Sequence, residues 1–357
     1  MMTPILTRRD FNEGNYGDAY IAIGLQYLWE KAVDKPVDWL LLDKFNKGKD
    51  FDKFEPLIRD AGQLIIAGTP QYNNLDDWSF WYDENVWTSY VARWGLSAWT
   101  LAGGSGHASP HMLPEEFADY CAGSAKTRRI LKIRDNHSVV TTVRDPHAHA
   151  LLNRLHIENT LMPCTATWAM HKRGIKKSSN KYVALVAPSA THLSHEATGV
   201  STDNEEGRLQ APADLMPRMY NVFKRMRPNV IVVCHGIAEY VMLRGKIPAE
   251  DLFYSNDSHS VLELYSQCEL VVSARLHGAL PAYGIGGTKV HMIGIDTRGS
   301  AAWAFPEIGY SKFPEVLALY GEPFETWCEA TLAQEPGKLK TVRAAERKYV
   351  KLLRDCM

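Results

Sequence analysis

Leu270 to Arg298 reads L-V-V-S-A-R-L-H-G-A-L-P-A-Y-G-I-G-G-T-K-V-H-M-I-G-I-D-T-R. A short apolar run, Leu270 to Val272, meets Arg275 and His277 almost at once, and a small-residue segment, Gly278 to Gly287, follows. This is the pattern of a buried strand ending in a polar turn, with a tightly packed helix behind it. Strand carboxyl ends in open α/β sheets are where ligands sit. An arginine there offers a permanent planar cation to phosphate or carboxylate, and a histidine two residues on exchanges a proton near neutral pH. Arg275 and His277 are therefore the first functional candidates. The plainer reading makes Arg275 a structural ion-pair partner and His277 a satisfied core histidine.

The same alternation extends in both directions. Gly24 to Val33 has helical spacing, Gln63 to Ala67 is a short strand ending at Gly68, and Ser97 to Ala102 is another, ending at the glycine-rich turn Gly103 to Gly106. Ser138 to Val143 stops at Arg144-Asp145-Pro146. Strands that end in Gly or polar turns and feed helices predict a parallel sheet with helices on both faces. His171 to Lys181 is basic, contains Gly and Ser and lacks apolar periodicity, so it reads as a linker. Beyond it the alternation restarts with strands at Tyr182 to Ala187, Asn229 to Cys234, Leu270 to Ser273 and Val290 to Ile295. The reading is α/β, two Rossmann-like domains facing a central cleft: residues 1–171, a linker at 172–181, and residues 182–357 closed by an amphipathic C-terminal helix over Leu339 to Leu353.

At 357 residues the chain suits two domains of ordinary size. Lys and Arg number 40 against 41 Asp and Glu, a formal charge of -1, so no global field draws it to nucleic acid or anionic lipid and any anion site must be local. Six scattered cysteines lack any C-x-x-C pair or metal spacing and read as reduced thiols of a cytosolic protein. The sequence shows no signal-peptide core and no apolar run of bilayer length, which predicts an integral segment nowhere.

Other constellations add candidates. Asn12 to Asp18, with Asn15, Gly17 and Asp18, precedes the first helix, and such a loop lets backbone N–H groups approach an anion or sugar; a plain turn with an Asp cap explains it equally well. Gly103 to His107 lacks both nucleotide fingerprints, and Gly104 there allows close backbone approach to a substrate or simply a tight turn. Arg144 ends a strand and either reaches the cleft or pairs with Asp145. His235, with Glu239 one helical turn on, stands at an equivalent strand end in the second half. The aromatic cluster Trp78 to Trp99 suits core or interface packing, with sugar stacking as the second option, and leaves room for a homo-oligomer.

These residues resemble the polysaccharide pyruvyltransferase family over most of the chain. N-x-G-D at Asn15 to Asp18 looks like its opening motif, V-R-D at Val143 to Asp145 like its middle one, and S-A-R-L-H-G at Ser273 to Gly278 like its most recognisable one. Asp296 after V-H-M-I-G-I resembles its final strand and acidic turn. The resemblance implies a GT-B-like fold and transfer of a pyruvate ketal from phosphoenolpyruvate, as co-substrate, to two hydroxyls of a sugar in a glycan or lipid-linked saccharide. It implies no cofactor and no metal. Arg275 then lies on the phosphate side and His277 is the acid toward the methylene carbon, or the base toward the hydroxyl. Two departures stand out: one glycine instead of a run at Ile66 to Pro70, and no arginine in Ala187 to His192, where His192, His195 or Arg298 would substitute. Membrane contact is expected only peripherally, at the inner face through a lipid-linked acceptor. A GT-B-type glycosyltransferase using a nucleotide sugar and a non-catalytic sugar-binding protein are the alternatives.

Overall fold

The computed structural model describes residues 2–7, 16–44, 47–76, 86–106, 109–189 and 212–357. The first half builds strands β1 (Thr3–Thr7), β2 (Trp39–Asp43), β3 (Gln63–Ala67), β4 (Pro70–Tyr72), β5 (Ser97–Ser105), β6 (Ser138–Val143) and β7 (Thr160–Leu161). They pair in parallel in the order β2-β1-β3-β5-β6-β7, with β4 on the side of β5. The second half builds β8 (Tyr182–Val186), β9 (Val230–Cys234), β10 (Leu252–Tyr254), β11 (Cys268–Ser273), β12 (Lys289–Gly294) and β13 (Gly309–Lys312). Its parallel order is β10-β9-β8-β11-β12-β13, the doubly wound arrangement. Successive connections leave β8 and β11 in opposite directions, so a crevice opens at their carboxyl ends, between Ala187 and Arg275.

Local sequence explains these strands. In β11 Leu270 to Ser273 are all buried, as a central parallel strand covered by helices on both faces requires. The small residues after it, Gly278, Ala279, Ala282 and Gly284, let the helix Leu276–Gly284 pack closely. A Cβ on Gly284 would lie 1.8 Å from the carbonyl oxygen of Thr167, and one on Gly24, in the first helix Tyr16–Val33, 1.8 Å from that of Thr165. The 3₁₀ turn Thr165–Trp168 is thus wedged between a helix of each half.

Two expectations change. The glycine-rich stretch after Ala102 is strand and not turn: β5 continues through Gly103 and Gly104 to Ser105. Both glycines are required because side chains lie across them, the Tyr72 ring 2.6 Å from a Cβ on Gly103 and the Arg144 guanidinium over Gly104. The C-terminal helix, Leu339–Cys356, returns to the first half. Its Tyr349 hydroxyl bonds Thr142 Oγ1 at 2.8 Å, and Arg354 donates to the carbonyls of Ala32 and Lys31. The described part of the aromatic cluster is core: Tyr90 stacks on Phe51 and Trp99 meets Trp29 edge-on. Trp78, Phe80, Trp81 and Tyr82 lie outside the described residues. No helix of the described residues is long and apolar enough to cross a membrane.

Candidate active site

Arg275 occupies the N-cap position of the helix Leu276–Gly284, one residue beyond the end of the β11 strand and its Ala274 neighbour. Ser273 fixes the turn, its Oγ accepting from Arg275 N and donating to Arg275 O. The guanidinium crosses the crevice: Nε donates to the Ala187 carbonyl at 3.1 Å, and Nη2 pairs with Glu239. Glu239 is buried, in the helix Ile237–Leu243 behind β9. The ion-pair reading of Arg275 therefore holds as geometry, while its position at the switch point keeps it in reach of a ligand.

His277, half-buried in the first turn of the same helix, meets the other half of the molecule. Its Nε2 lies 3.3 Å from Arg144 Nη1 and 3.8 Å from Cys164 Sγ. Burial, and then the charges of Arg144 and Arg298 with His235 and Arg275 beyond, push its pKa well below the usual histidine value, so the ring is neutral at pH 7. Arg144 is completely buried and is not paired with Asp145. The Asp145 oxygens accept instead from Ala148 N, as helix cap, and from Ser105 N. Arg144 Nε and Nη2 have no hydrogen-bond partner among the described residues. Cys164 carries no sequence signal, and burial raises its thiol pKa against the opposing pull of Arg144.

Arg298 arrives from the 3₁₀ turn Thr297–Ala304 behind β12. Asp296 caps that turn, taking Arg298 N at 2.9 Å on Oδ1 and the guanidinium on Oδ2. Burial opposes the Arg298 charge, and Asp296 by charge and hydrogen bond, with Asp18 further off, more than offsets it, so its pKa rises. The same turn touches the first half three times: Thr297 Oγ1 with Ser105 Oγ at 3.0 Å, Ser300 Oγ with His147 Nδ1 at 3.0 Å, and Trp303 Nε1 donating to Arg144 O at 2.9 Å.

His235 is buried behind this group, its Nε2 2.7 Å from the Tyr265 hydroxyl and its ring edge-on to Tyr16; burial, then Arg275, hold it neutral. Gly17 and Asp18 belong to the first turn of the helix Tyr16–Val33, not to a loop before it, and Asp18 is buried in an ion pair with Lys44. Gly104 adjoins the Arg144 guanidinium and not the open crevice, a Cβ there lying 2.3 Å from Nε. Asn15, His192 and His195 lie outside the described residues. Among the described residues no group of three or more His, Cys, Asp or Glu is arranged to hold a metal.

At the strand ends one histidine thus contacts Arg144 and feels the charges of Arg298 and Arg275. A model of the polysaccharide pyruvyl transferase family matches residues 15–287. The chain belongs to this family. The matched span carries Arg144, Cys164, His235, Glu239, Arg275 and His277 of this pyruvyl transferase family member, and Asp296 and Arg298 lie just beyond it. No curated protein matches the sequence significantly. Among solved structures, the UDP-GlcNAc 2-epimerase of Methanocaldococcus jannaschii, in complex with UDP-GlcNAc and UDP, superposes with a TM-score of 0.50 at 10% identity, over 99% of each chain. The α,α-trehalose-phosphate synthase (UDP-forming) of Burkholderia vietnamiensis gives 0.42 at 10% identity, over 99% of this chain and 94% of that one. The fold of this family member, two doubly wound parallel sheets, is like that of the GT-B glycosyltransferases and epimerases.

Proposed function

We propose that the protein moves a pyruvyl group from phosphoenolpyruvate to two hydroxyls of a sugar, in a glycan or lipid-linked saccharide met at the cytosolic membrane face. What supports this reading is the placement of Arg275 and Arg298 within electrostatic reach of His277, which Arg144 contacts, in a chain of the pyruvyl transferase family. Phosphoenolpyruvate carries a phosphate and a carboxylate, and a cluster of guanidiniums suits both. In the reaction one sugar oxygen bonds the central carbon while the methylene carbon gains a proton and becomes methyl. A second sugar oxygen then bonds the same carbon as the C–O bond to phosphate breaks. Of the two hydroxyl protons lost, one balances the methyl group and the other leaves with phosphate. Arg275 stabilises the departing phosphate, and Arg298 steadies the carboxylate. No resident cofactor enters this balance.

The test is thermal stabilisation by phosphoenolpyruvate set against a panel of nucleotide sugars. A ligand at 100 times its dissociation constant adds about 2.7 kcal/mol. Stabilisation by phosphoenolpyruvate that disappears in Arg275→Ala is the expected result. Stabilisation by nucleotide sugars alone would move the protein to the glycosyltransferases.

A further inference from the structure

We propose that Arg144 is a positioning residue which holds His277 as the imidazole protonated on Nδ1, so that His277 acts as a hydrogen-bond donor to the substrate and not as its general base. A guanidinium has five N–H donors and no acceptor. The Arg144 Nη1 to His277 Nε2 contact of 3.3 Å therefore requires a lone pair on Nε2. A neutral ring with its lone pair on Nε2 carries its hydrogen on Nδ1. A second proton on Nε2 would set two N–H groups and two cations against each other.

Everything around the ring has the same polarity. Among the described residues its hydrogen-bond partners are Arg144 and Cys164, and Cys164, kept a thiol by burial, also has a hydrogen to offer Nε2. Arg298 comes from the turn after β12, Arg275 from the turn after β11 and His235 from the end of β9, and each disfavours a charged ring. A histidine that accepts protons in catalysis is usually oriented by a carboxylate that takes its other N–H. Here the orienting group is a cation on the opposite nitrogen.

Arg144 is built to stay where it is. Its side chain is 0% exposed, Gly104 leaves it the space of a missing Cβ, its N–H bonds Gly103 O at 2.9 Å, and its carbonyl is held by the Trp303 indole. With Nε and Nη2 unpartnered among the described residues, its bond to His277 is the principal one its guanidinium makes. Buried in this way, Arg144 acts through His277 and not by touching the ligand.

The consequence for the reaction, which alone rests on the pyruvyl-transfer reading, concerns one proton. His277 Nδ1–H donates to an oxygen of the donor anion, and the proton gained by the methylene carbon is the one lost by the attacking hydroxyl, without passing over His277.

The tautomer is a property of the ligand-free protein and is read by ¹⁵N NMR of histidine-labelled protein, the His277 signals being those lost in His277→Gln. Wild type is expected to show a protonated Nδ1 and a bare Nε2, unchanged across about pH 5 to 8, where an ordinary histidine changes charge. Arg144→Lys, still a donor-only cation, keeps that pattern. Arg144→Met removes the donor to Nε2 while the ring stays buried, so its spectrum is expected to show the Nε2-protonated tautomer beside the Nδ1-protonated one. An Nε2-protonated ring or an imidazolium in wild type overturns the proposal, and that spectrum decides even if Arg144→Met does not fold. Failure of phosphoenolpyruvate to stabilise the protein, with the tautomer as described, would remove the pyruvyl reading and leave the role of Arg144 standing.

Discussion

Gly104→Ala tests the packing beneath the site with a single methyl group. The new Cβ would lie 2.3 Å from Arg144 Nε, 2.7 Å from Nη2 and 2.8 Å from Cζ, all inside van der Waals contact. The guanidinium must move, yet it is fully buried between the two halves, with its backbone tied to Gly103 and Trp303. Over-packing of this kind costs about 1–3 kcal/mol. Breaking the Arg144 to His277 bond adds about 1.5–3 kcal/mol, the worth of a hydrogen bond with a charged donor. Since 1 kcal/mol moves Tm by about 2–4 °C in domains of 150–250 residues, a loss of at least several degrees is expected. The assay is thermal unfolding with Gly123→Ala as control, because nothing lies within 4 Å of a Cβ at that helix end and stability there should change little. Activity should fall with stability in Gly104→Ala at temperatures where the variant is still folded, since displaced Arg144 frees His277. A Gly104→Ala protein as stable and active as wild type would refute the tight seating of Arg144.

Two further outcomes follow from the same geometry. Gly24→Ala and Gly284→Ala each drive a Cβ to 1.8 Å from a carbonyl of the Thr165–Trp168 turn, so each should lower stability by about 1–3 kcal/mol, read as a shift in urea midpoint. Stability should also fall on acidification. Burial holds His277 and His235 well below the usual histidine range and His291 at about 4. Below about pH 6.5 the unfolded chain therefore binds protons that the folded one does not, and stability rises with pH by up to about 1.4 kcal/mol per unit for each such histidine. Urea midpoints measured from neutral pH down toward the His291 value check this, and a flat profile would contradict the burial of all three rings.

Much of the candidate site was legible because Arg144, Arg275 and His277 stand within a few residues of the ends of β6 and β11. The strand-then-polar-turn pattern marks Arg275 after β11 and Asp296 after β12 directly in the chain, whereas Arg298 entered only as one of three substitutes for a missing arginine. Arg298 stands within charge reach of His277 and Arg275. Gly104 misled for a physical reason. A glycine needed for a side chain lying across it reads the same, in one dimension, as a glycine needed for a turn. The start of the first helix was set too late because Gly17 and its neighbours look like loop, whereas the buried helix packs Tyr16 and Tyr20 against the second half. Cys164 and Trp303 had no signal, since neither spacing nor composition reveals a contact with a residue more than a hundred positions away or on the opposite sheet.

The sequence by itself determined the alternation of buried strands and helices, the two halves, and which strand ends carry cations and imidazoles, because hydrophobic periodicity and turn chemistry are local. Only the tertiary structure decided which of these side chains meet. Whether Arg144 pairs with Asp145 or turns to His277, and that the C-terminal helix recrosses to the first half, depend on distances between residues far apart in the chain. Those distances are fixed by packing the two sheets around the Thr165–Trp168 turn, where the absence of a Cβ on Gly24 and Gly284 sets how closely the halves approach.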